Sequence, residues 1–238
     1  MSFDQVKPGL YQLVYKGVNV FLVDCFGLTL VDTGTPEMGP MIVKALRDLG
    51  HDPRAVSKIL LTHAHYDHAG AASFLQSELG AEVFCHPLEA ELLRTGETIR
   101  PGFHPSPGLL NRLLYETFIR NNPTTAPPVE VDVLLEDGQE VIGGFRSIHT
   151  PGHALGHLAF LWKDTLIAGD AASNVGWLRA AIGTEDYTTA LESIQKLCSF
   201  DFETACFGHG PPIKSAADKK FRARRWAAQT ERERLSAN

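Results

Sequence analysis

Leu61-Thr62-His63-Ala64-His65-Tyr66-Asp67-His68-Ala69-Gly70 is the most informative segment of this chain. It places three imidazoles and one carboxylate within six residues, at the end of an apolar run. Imidazole nitrogens and carboxylate oxygens are the ligands that zinc and related divalent metals accept. A histidine-rich surface tract is the alternative, but this stretch lies at a strand-to-helix transition and not at a terminus. It therefore predicts a metal site.

The spacing of these donors indicates two metal positions. His63 and His65 are two residues apart, so in an extended chain they project to the same side and can share one metal. Asp67 and His68 are adjacent and point in different directions. A chain that turns into a helix near Asp67 aims this second pair at a neighbouring position.

Three further segments place a donor where an apolar strand gives way to a loop. His153 ends a Thr-Pro-Gly-His segment, and Asp170 ends an Ala-Gly-Asp segment. His209 lies in a Gly-His-Gly-Pro-Pro segment, where glycines allow unusual backbone angles and prolines delay a helix. Sites are commonly built at such strand ends, so we expect these three residues to complete the metal centre.

Taken together, these motifs resemble those of the metallo-beta-lactamase superfamily. The early strand end Leu30-Val31-Asp32-Thr33-Gly34 belongs to the same pattern. The motifs occur in the order typical of that family and span roughly residues 6–213. The resemblance implies an α+β fold, a four-layer αββα sandwich of two mixed β-sheets with helices outside.

The resemblance also implies roles for individual residues. It assigns one metal to His63, His65 and His153, a second metal to Asp67, His68 and His209, and a bridging position to Asp170. The expected cofactor is two Zn²⁺ per chain, with Fe or Mn as alternatives. Asp67 is expected to be catalytic as well, orienting or deprotonating the nucleophile. Asp32 is expected to support the site by hydrogen bonds to backbone and not to bind metal. Taken alone, its Asp-Thr-Gly context is equally typical of a simple turn.

A dinuclear centre of this kind indicates a hydrolase. Two cations that share a water lower its pKa from about 15.7 towards 7 and polarise a carbonyl or phosphoryl oxygen. No serine or cysteine nucleophile is required, and the chain has no Gly-x-Ser-x-Gly elbow and no Cys-x-x-Cys pair. The expected reaction is cleavage of an ester, thioester, lactone or related bond of a small molecule.

Other members of the superfamily provide alternatives. The first is an iron-dependent oxidoreductase of the persulfide dioxygenase type, and the second is a nuclease. Among hydrolases, glyoxalase II is disfavoured because only residues 211–238 follow the last donor. An acyl-homoserine lactonase lacks support because Ser173 stands where a tyrosine is common. A true beta-lactamase is usually exported, and no export signal is seen at the start of the sequence.

Composition agrees with one enzyme domain spanning residues 1–238. The 238 residues are 44% hydrophobic, which is enough to fill a core. A formal net charge of -6 provides no basic surface for nucleic acid. No apolar run approaches the ~18 residues of a membrane span. We expect a cytoplasmic protein with a small-molecule substrate and neither nucleic-acid nor membrane partners.

The apolar pattern predicts two similar halves of strands and helices. The predicted strands cover residues 6–14, 18–24, 28–31, 58–61, 82–85, 131–135, 139–141, 145–149, 158–162, 165–168 and 204–207, and the predicted helices cover residues 37–49, 69–79, 87–95, 184–199 and 215–235. The segment 96–130 is an insertion, expected to be a lid or pocket wall, with a homodimer contact as the alternative. Its apolar residues are Phe103, Leu110, Leu114, Tyr115 and Phe118. His157 is expected either to support the metal ligands without binding metal or to be structural.

Overall fold

A computed structural model describes residues 2–224 and Trp226. Fourteen strands are found within these residues. In chain order they are β1 Asp4–Lys7, β2 Leu10–Tyr15, β3 Val18–Asp24, β4 Leu28–Val31, β5 Val56–Leu60, β6 Glu82–Cys85, β7 His104–Pro105, β8 Val133–Leu134, β9 Glu140–Val141, β10 Phe145–His149, β11 Leu158–Trp162, β12 Thr165–Ile167, β13 Gly183–Thr184 and β14 Thr204–Cys206.

Two mixed sheets contain most of these strands. The first has the order β1-β2-β3-β4-β5-β6-β8, antiparallel from β1 to β4 and parallel from β4 to β8. The second has the order β14-β12-β11-β10-β9, with β12 and β14 parallel. A small third sheet pairs β7 with β13. Because β4 and β5 run parallel, as do β12 and β14, their carboxyl ends offer neighbouring loops for a site.

Seven α-helices accompany the sheets within the described residues. They are α1 Met38–Asp48, α2 Tyr66–Ala69, α3 Ala72–Leu79, α4 Pro87–Thr95, α5 Leu109–Phe118, α6 Tyr187–Leu197 and α7 Ala217–Ala223, and a 3₁₀ turn spans Pro53–Ala55. Local sequence sets their starts. Pro87 opens α4 after a cap by His86, and Asp186 caps α6 by accepting a hydrogen bond from the Thr189 amide. None of the helices in residues 2–224 is long and apolar enough to cross a membrane.

Three separate apolar cores show how the layers pack. The first lies between the seven-stranded sheet and α1, α3 and α4, and includes Ile42 and Leu75. The second lies between the five-stranded sheet and α6 and α7, and includes Ile194 and Phe221. The third lies between the two sheets and includes residues such as Phe160. Three cores separate four layers, which confirms the predicted αββα sandwich.

Several predicted boundaries differ from the structure for local reasons. Residues 6–14 form parts of two strands, because the chain reverses at Gly9, whose φ is 77°. The helix predicted over 69–79 is observed as α3, which begins at Ala72, and Ala69 is the last residue of the short preceding helix α2. Helix α6 begins at Tyr187 and not at 184, because Thr184 pairs with His104 in the small sheet. Helix α7 ends at Ala223, and residues 227–235 of the predicted final helix lie outside the described residues.

Candidate metal centre

The seven predicted donors lie at the ends of strands from both sheets. His63 and His65 follow β5, and the first turn of α2 carries Asp67 and His68. In the second sheet, His153 lies between β10 and β11, Asp170 follows β12 and His209 follows β14. The turn into a helix at Tyr66 gives the change of direction that the spacing predicted. All seven donors therefore face one region between the carboxyl ends of the strands.

One group of donors consists of three imidazoles. His153 Nε2 lies 3.1 Å from His63 Nε2 and 3.0 Å from His65 Nδ1. The ligand atoms of these three residues all lie within 4.8 Å of one another, and the three side chains are buried. This grouping matches the first predicted ligand set.

A second group combines a carboxylate with two imidazoles. His209 Nε2 lies 3.3 Å from Asp67 Oδ2, and His68 Nε2 lies 4.0 Å from Asp67 Oδ1. Their ligand atoms also lie within 4.8 Å of one another. His68 is buried, whereas the side chains of Asp67 and His209 are partly exposed. This group is therefore the more accessible of the two.

Asp170 lies between the two groups. Its Oδ2 is 3.7 Å from His153 Nε2 and 3.4 Å from His209 Nε2, and its Oδ1 is 3.6 Å from His68 Nε2. One carboxylate thus reaches imidazoles of both groups. This is the position that the sequence predicted for a bridging ligand.

Burial sets the protonation state of the three-histidine group. Desolvation lowers the pKa of His63 and His65 well below the ordinary 6.5, and neighbouring imidazoles lower the pKa of both further. Desolvation also lowers the pKa of His153. These three imidazoles are therefore neutral at pH 7 and keep a lone pair for a metal.

Among the other four donors, the pKa values of the two carboxylates are lowered and those of the two imidazoles are raised, because carboxylates and imidazoles face each other. Burial alone would raise the pKa of Asp67 and Asp170, but His68 and His209 outweigh it and lower both. Burial alone would lower the pKa of the two imidazoles, but Asp170 and Asp67 outweigh it. The pKa of His68 rises to about 9, and that of His209 rises well above 6.5. The carboxylates are therefore ionised, as metal binding requires.

Unpaired buried atoms show that these residues fit metal ions. His68 Nε2, His65 Nε2 and Asp170 Oδ1 are buried without a hydrogen-bond partner. Such atoms are costly unless something else pairs with them. Two of the three, His68 Nε2 and Asp170 Oδ1, lie in the region where the donors converge, and a divalent cation would pair with both.

Hydrogen bonds on the outer side of the imidazoles set their tautomers. The Nδ1–H groups of His153 and His209 donate to the carbonyls of Gly183 and Gly17, at 2.8 and 2.9 Å. His68 Nδ1 donates to Asp32 Oδ2 at 2.9 Å. In each case Nε2 is left facing the other donors, an arrangement typical of metal-binding histidines.

Asp32 has the supporting role that was predicted for it. Its Oδ1 accepts hydrogen bonds from the Thr62 amide and hydroxyl, at 2.8 and 3.0 Å. Because the Thr62 hydroxyl donates to Asp32, it accepts from His63 Nδ1, which lies 2.9 Å away. Asp32 thus orients His68 directly and His63 through Thr62. The sequence analysis did not identify Thr62, although it immediately precedes the first histidine.

His157 is a structural residue, as expected. Its Nε2 accepts a hydrogen bond of 3.0 Å from the backbone amide of Asp170, and its Nδ1 lies 2.8 Å from the Thr150 hydroxyl. Both ring nitrogens are therefore engaged away from the convergence of donors. The contact with Asp170 fixes the start of the loop that carries this carboxylate.

The insertion at 96–130 contributes one aromatic wall to the centre. The Phe103 ring meets the rings of His65 and His153 edge-on, at centroid distances of 4.9 and 5.5 Å. Tyr115 packs next to Phe103 at 5.9 Å. Leu110 and Phe118, which were also predicted to line the wall, are exposed on α5. The choice between a lid and a dimer contact stays a prediction.

Comparisons with known proteins agree with this site. The family model described as metallo-beta-lactamase superfamily matches residues 15–209. The Bacillus subtilis (strain 168) protein named "Probable metallo-hydrolase YflN" is 28% identical, with 93% of this chain and 90% of that protein covered. A hydroxyacylglutathione hydrolase of Cereibacter sphaeroides (strain ATCC 17023) is 30% identical, with 79% and 63% covered. A solved metallo-beta-lactamase of Cronobacter sakazakii shares the fold, with a TM-score of 0.73, 21% identity, and 100% and 98% covered.

Proposed function

We propose that this chain, which belongs to the metallo-beta-lactamase superfamily and is a hydrolase of that superfamily, uses two zinc ions in its reaction. The proposed reaction is cleavage of an ester, thioester or lactone bond of a small molecule. The observation that carries the proposal is the position of Asp170, whose carboxylate lies within 3.7 Å of imidazole nitrogens from both donor groups. A shared carboxylate favours a pair of metals over a single ion.

The seven donors would hold the metals in two positions. His63, His65 and His153 would hold one, Asp67, His68 and His209 would hold the other, and Asp170 would contact both. When bound, the metals would supply Lewis-acid activation of water and of the scissile carbonyl. The remaining requirements are orientation of the nucleophile and of the substrate, which the chain must provide.

Asp67 is the residue placed to orient the nucleophile. Its carboxylate is partly exposed, and His68 and His209 lower its pKa, so it is an ionised acceptor at neutral pH. One oxygen, Oδ2, is turned towards His209. The carboxylate can therefore accept a hydrogen bond from a water at the centre and orient it for attack.

The surroundings of the centre support a small substrate with an apolar part. Phe103 places an aromatic edge against His65 and His153. The net charge of -6 does not favour a polyanionic substrate such as nucleic acid. The relative named hydroxyacylglutathione hydrolase, which by its name acts on a thioester, supports the same bond class for this chain.

Metal analysis followed by a hydrolysis panel tests the proposal. The purified protein should contain about two zinc ions per chain, and it should hydrolyse at least one thioester, ester or lactone from a panel that also contains beta-lactams and phosphodiesters. One iron per chain together with oxygen consumption would instead indicate the dioxygenase alternative, and cleavage of phosphodiesters alone would indicate the nuclease.

An Asp67→Asn variant tests the mechanism. The amide keeps the size of the side chain but loses the negative charge that would help to hold metal and orient the water, so hydrolysis should fall by about 100-fold or more. Asp48→Asn is the matched control, because Asp48 is an exposed carboxylate at the end of α1 that pairs with Lys44. Full turnover by the Asp67→Asn protein would refute the assigned role.

A further inference from the structure

Glu89 is a fully buried carboxylate on α4 that is not among the seven donors. Its Oε2 accepts a hydrogen bond of 3.0 Å from the backbone amide of Ala64. Its Oε1 accepts a hydrogen bond of 2.9 Å from the backbone amide of Gly156. A buried carboxylate is costly unless it is well paired, so its position requires an explanation.

The two amides belong to the loops that carry the three-histidine group. Ala64 lies between His63 and His65, after a strand of the seven-stranded sheet. Gly156 lies three residues after His153, between two strands of the five-stranded sheet. One carboxylate therefore joins the loop from the first sheet to the loop from the second, directly behind the donors.

A partly buried cation and a second carboxylate complete this network. Arg100 Nη1 donates to Glu89 Oε1 at 2.8 Å and to Glu185 Oε1 at 3.2 Å. Burial alone would lower the pKa of Arg100, but Glu89 and Glu185 outweigh it and raise it. Glu185 Oε2 accepts from the Leu155 amide at 2.6 Å, so it holds the loop of His153 as well. The guanidinium stays charged and balances the carboxylates.

We propose that Glu89 is a positioning residue that fixes the distance between the 63–65 loop and the 153–156 loop and so sets the metal affinity of the three-histidine group. The inference rests on the metal centre of the proposed function and names a residue that acts through backbone, without touching metal or substrate. A small displacement of one loop would separate His153 from His63 and His65, because each loop carries part of the ligand set. Within the part of the chain that the structure describes, no hydrogen bond joins Glu89 to Asp67, His68 or His209.

Glu89→Gln is the test variant. The carboxylate accepts from the amides of Ala64 and Gly156 and from Arg100, whereas a carboxamide offers one oxygen and turns an NH₂ group towards one of these donors. Glu91→Gln is the matched control. Glu91 lies two residues away on the same helix, is exposed and pairs with Arg94.

Zinc affinity should be measured by competition with a chromophoric chelator in two backgrounds. In His209→Ala, the three-histidine group remains intact, and Glu89→Gln should weaken zinc binding there by about 10- to 100-fold. In His153→Ala, the other group remains, and the same substitution should change affinity by less than about threefold. Equal losses in both backgrounds, or no loss in either, would overturn the proposal. Thermal unfolding of the metal-free proteins shows that the compared samples are folded.

Gly156→Ala provides an independent perturbation of the same contact. A Cβ at this position would lie 2.7 Å from Glu89 Oε1, so the carboxylate must move although no charge is lost. The variant should weaken zinc binding at the three-histidine group in the same way. In a Glu89→Ala protein the clash with the carboxylate is removed. Adding Gly156→Ala to that protein should therefore reduce zinc affinity by a smaller factor than Gly156→Ala does alone. Fully additive losses would contradict a shared mechanism.

These measurements are independent of the proposed reaction. If no substrate in the hydrolysis panel is turned over, the proposed function fails, while the affinities still test the role of Glu89. If hydrolysis is found but the affinities do not depend on Glu89, the function stands and the positioning role is wrong.

Discussion

A methyl group added at Gly208 should displace the carboxylate on which the proposed two-metal centre depends. A Cβ at this position would lie 2.2 Å from Asp170 Oδ1 and 2.5 Å from His68 Cε1. Real Cβ atoms essentially never approach closer than 3.0 Å, so Asp170 Oδ1 must move by at least 0.8 Å, the difference between 3.0 and 2.2 Å. Gly208 does not have a positive φ, so alanine can adopt its backbone conformation. The strain in the Gly208→Ala protein therefore comes from side-chain contacts.

The magnitude follows from this displacement. A misplacement of about 1 Å in an active site costs on the order of 100-fold in rate, so we expect Gly208→Ala to lose about that much in kcat/KM for the best substrate of the panel. Overpacking of a buried site costs about 1–3 kcal/mol, which lowers the Tm by roughly 2–12 °C for a domain of this size. Metal content should fall below that of the unmodified protein.

Gly39→Ala is the matched control for this substitution. Its Cβ would also clash, at 2.5 Å from Phe74 Cδ1, but the Phe74 ring is 41% exposed and can turn away. Metal content and hydrolysis should therefore be unchanged in the control. If Gly208→Ala binds metal and hydrolyses substrate as well as the control does, the close packing of Asp170 does not determine the function of the centre.

Three further outcomes follow from the site. Asp32→Asn removes the charged partner of His68 Nδ1, so zinc affinity should fall by about 10- to 100-fold in chelator competition, and unchanged affinity would contradict the role of Asp32. Zinc binding at pH 7.5 should release protons, because the pKa of His68 is raised to about 9 and that of His209 is raised well above 6.5 without metal. Calorimetry in two buffers of different ionisation enthalpy measures this release, and the contribution of His68 should be lost as the pH rises through about 9. Phe103→Ala should raise KM by about 10-fold for thioesters with apolar acyl groups and less for those with polar ones, and equal shifts for both would show that the ring does not contact the acyl group.

The candidate donors could be predicted from sequence because each one lies in a segment that follows an apolar strand. Local order was enough to place His63 to His68 at one strand end, and His153, Asp170 and His209 at three others. The αββα arrangement followed from the resemblance that these motifs carry. Parallel pairing of β4 with β5 and of β12 with β14 then brings the strand ends together in space.

Glu89 shows what the sequence could not reveal. It precedes Glu91 by two residues on α4, and both look like ordinary solvent-facing charges of a helix opened by proline. Only the fold brings Arg100 and the Gly156 amide against Glu89, from 11 and 67 residues away in sequence. Likewise, apolar character alone could not distinguish Phe103, which contacts the site, from Phe118, which is exposed.

The insertion therefore contributes to the centre in two physically different ways. Phe103 meets His65 and His153 through ring contacts alone, so it can be exchanged without removing a hydrogen bond from either ligand. Arg100 lies three residues earlier, yet it is bonded to Glu89, which holds the backbone of both loops of the three-histidine group. Changes near Phe103 should alter which substrates fit, whereas changes at Arg100 should alter how well metal is held. If the proposed function holds, substrate specificity and metal affinity should therefore respond to different residues of a single insertion.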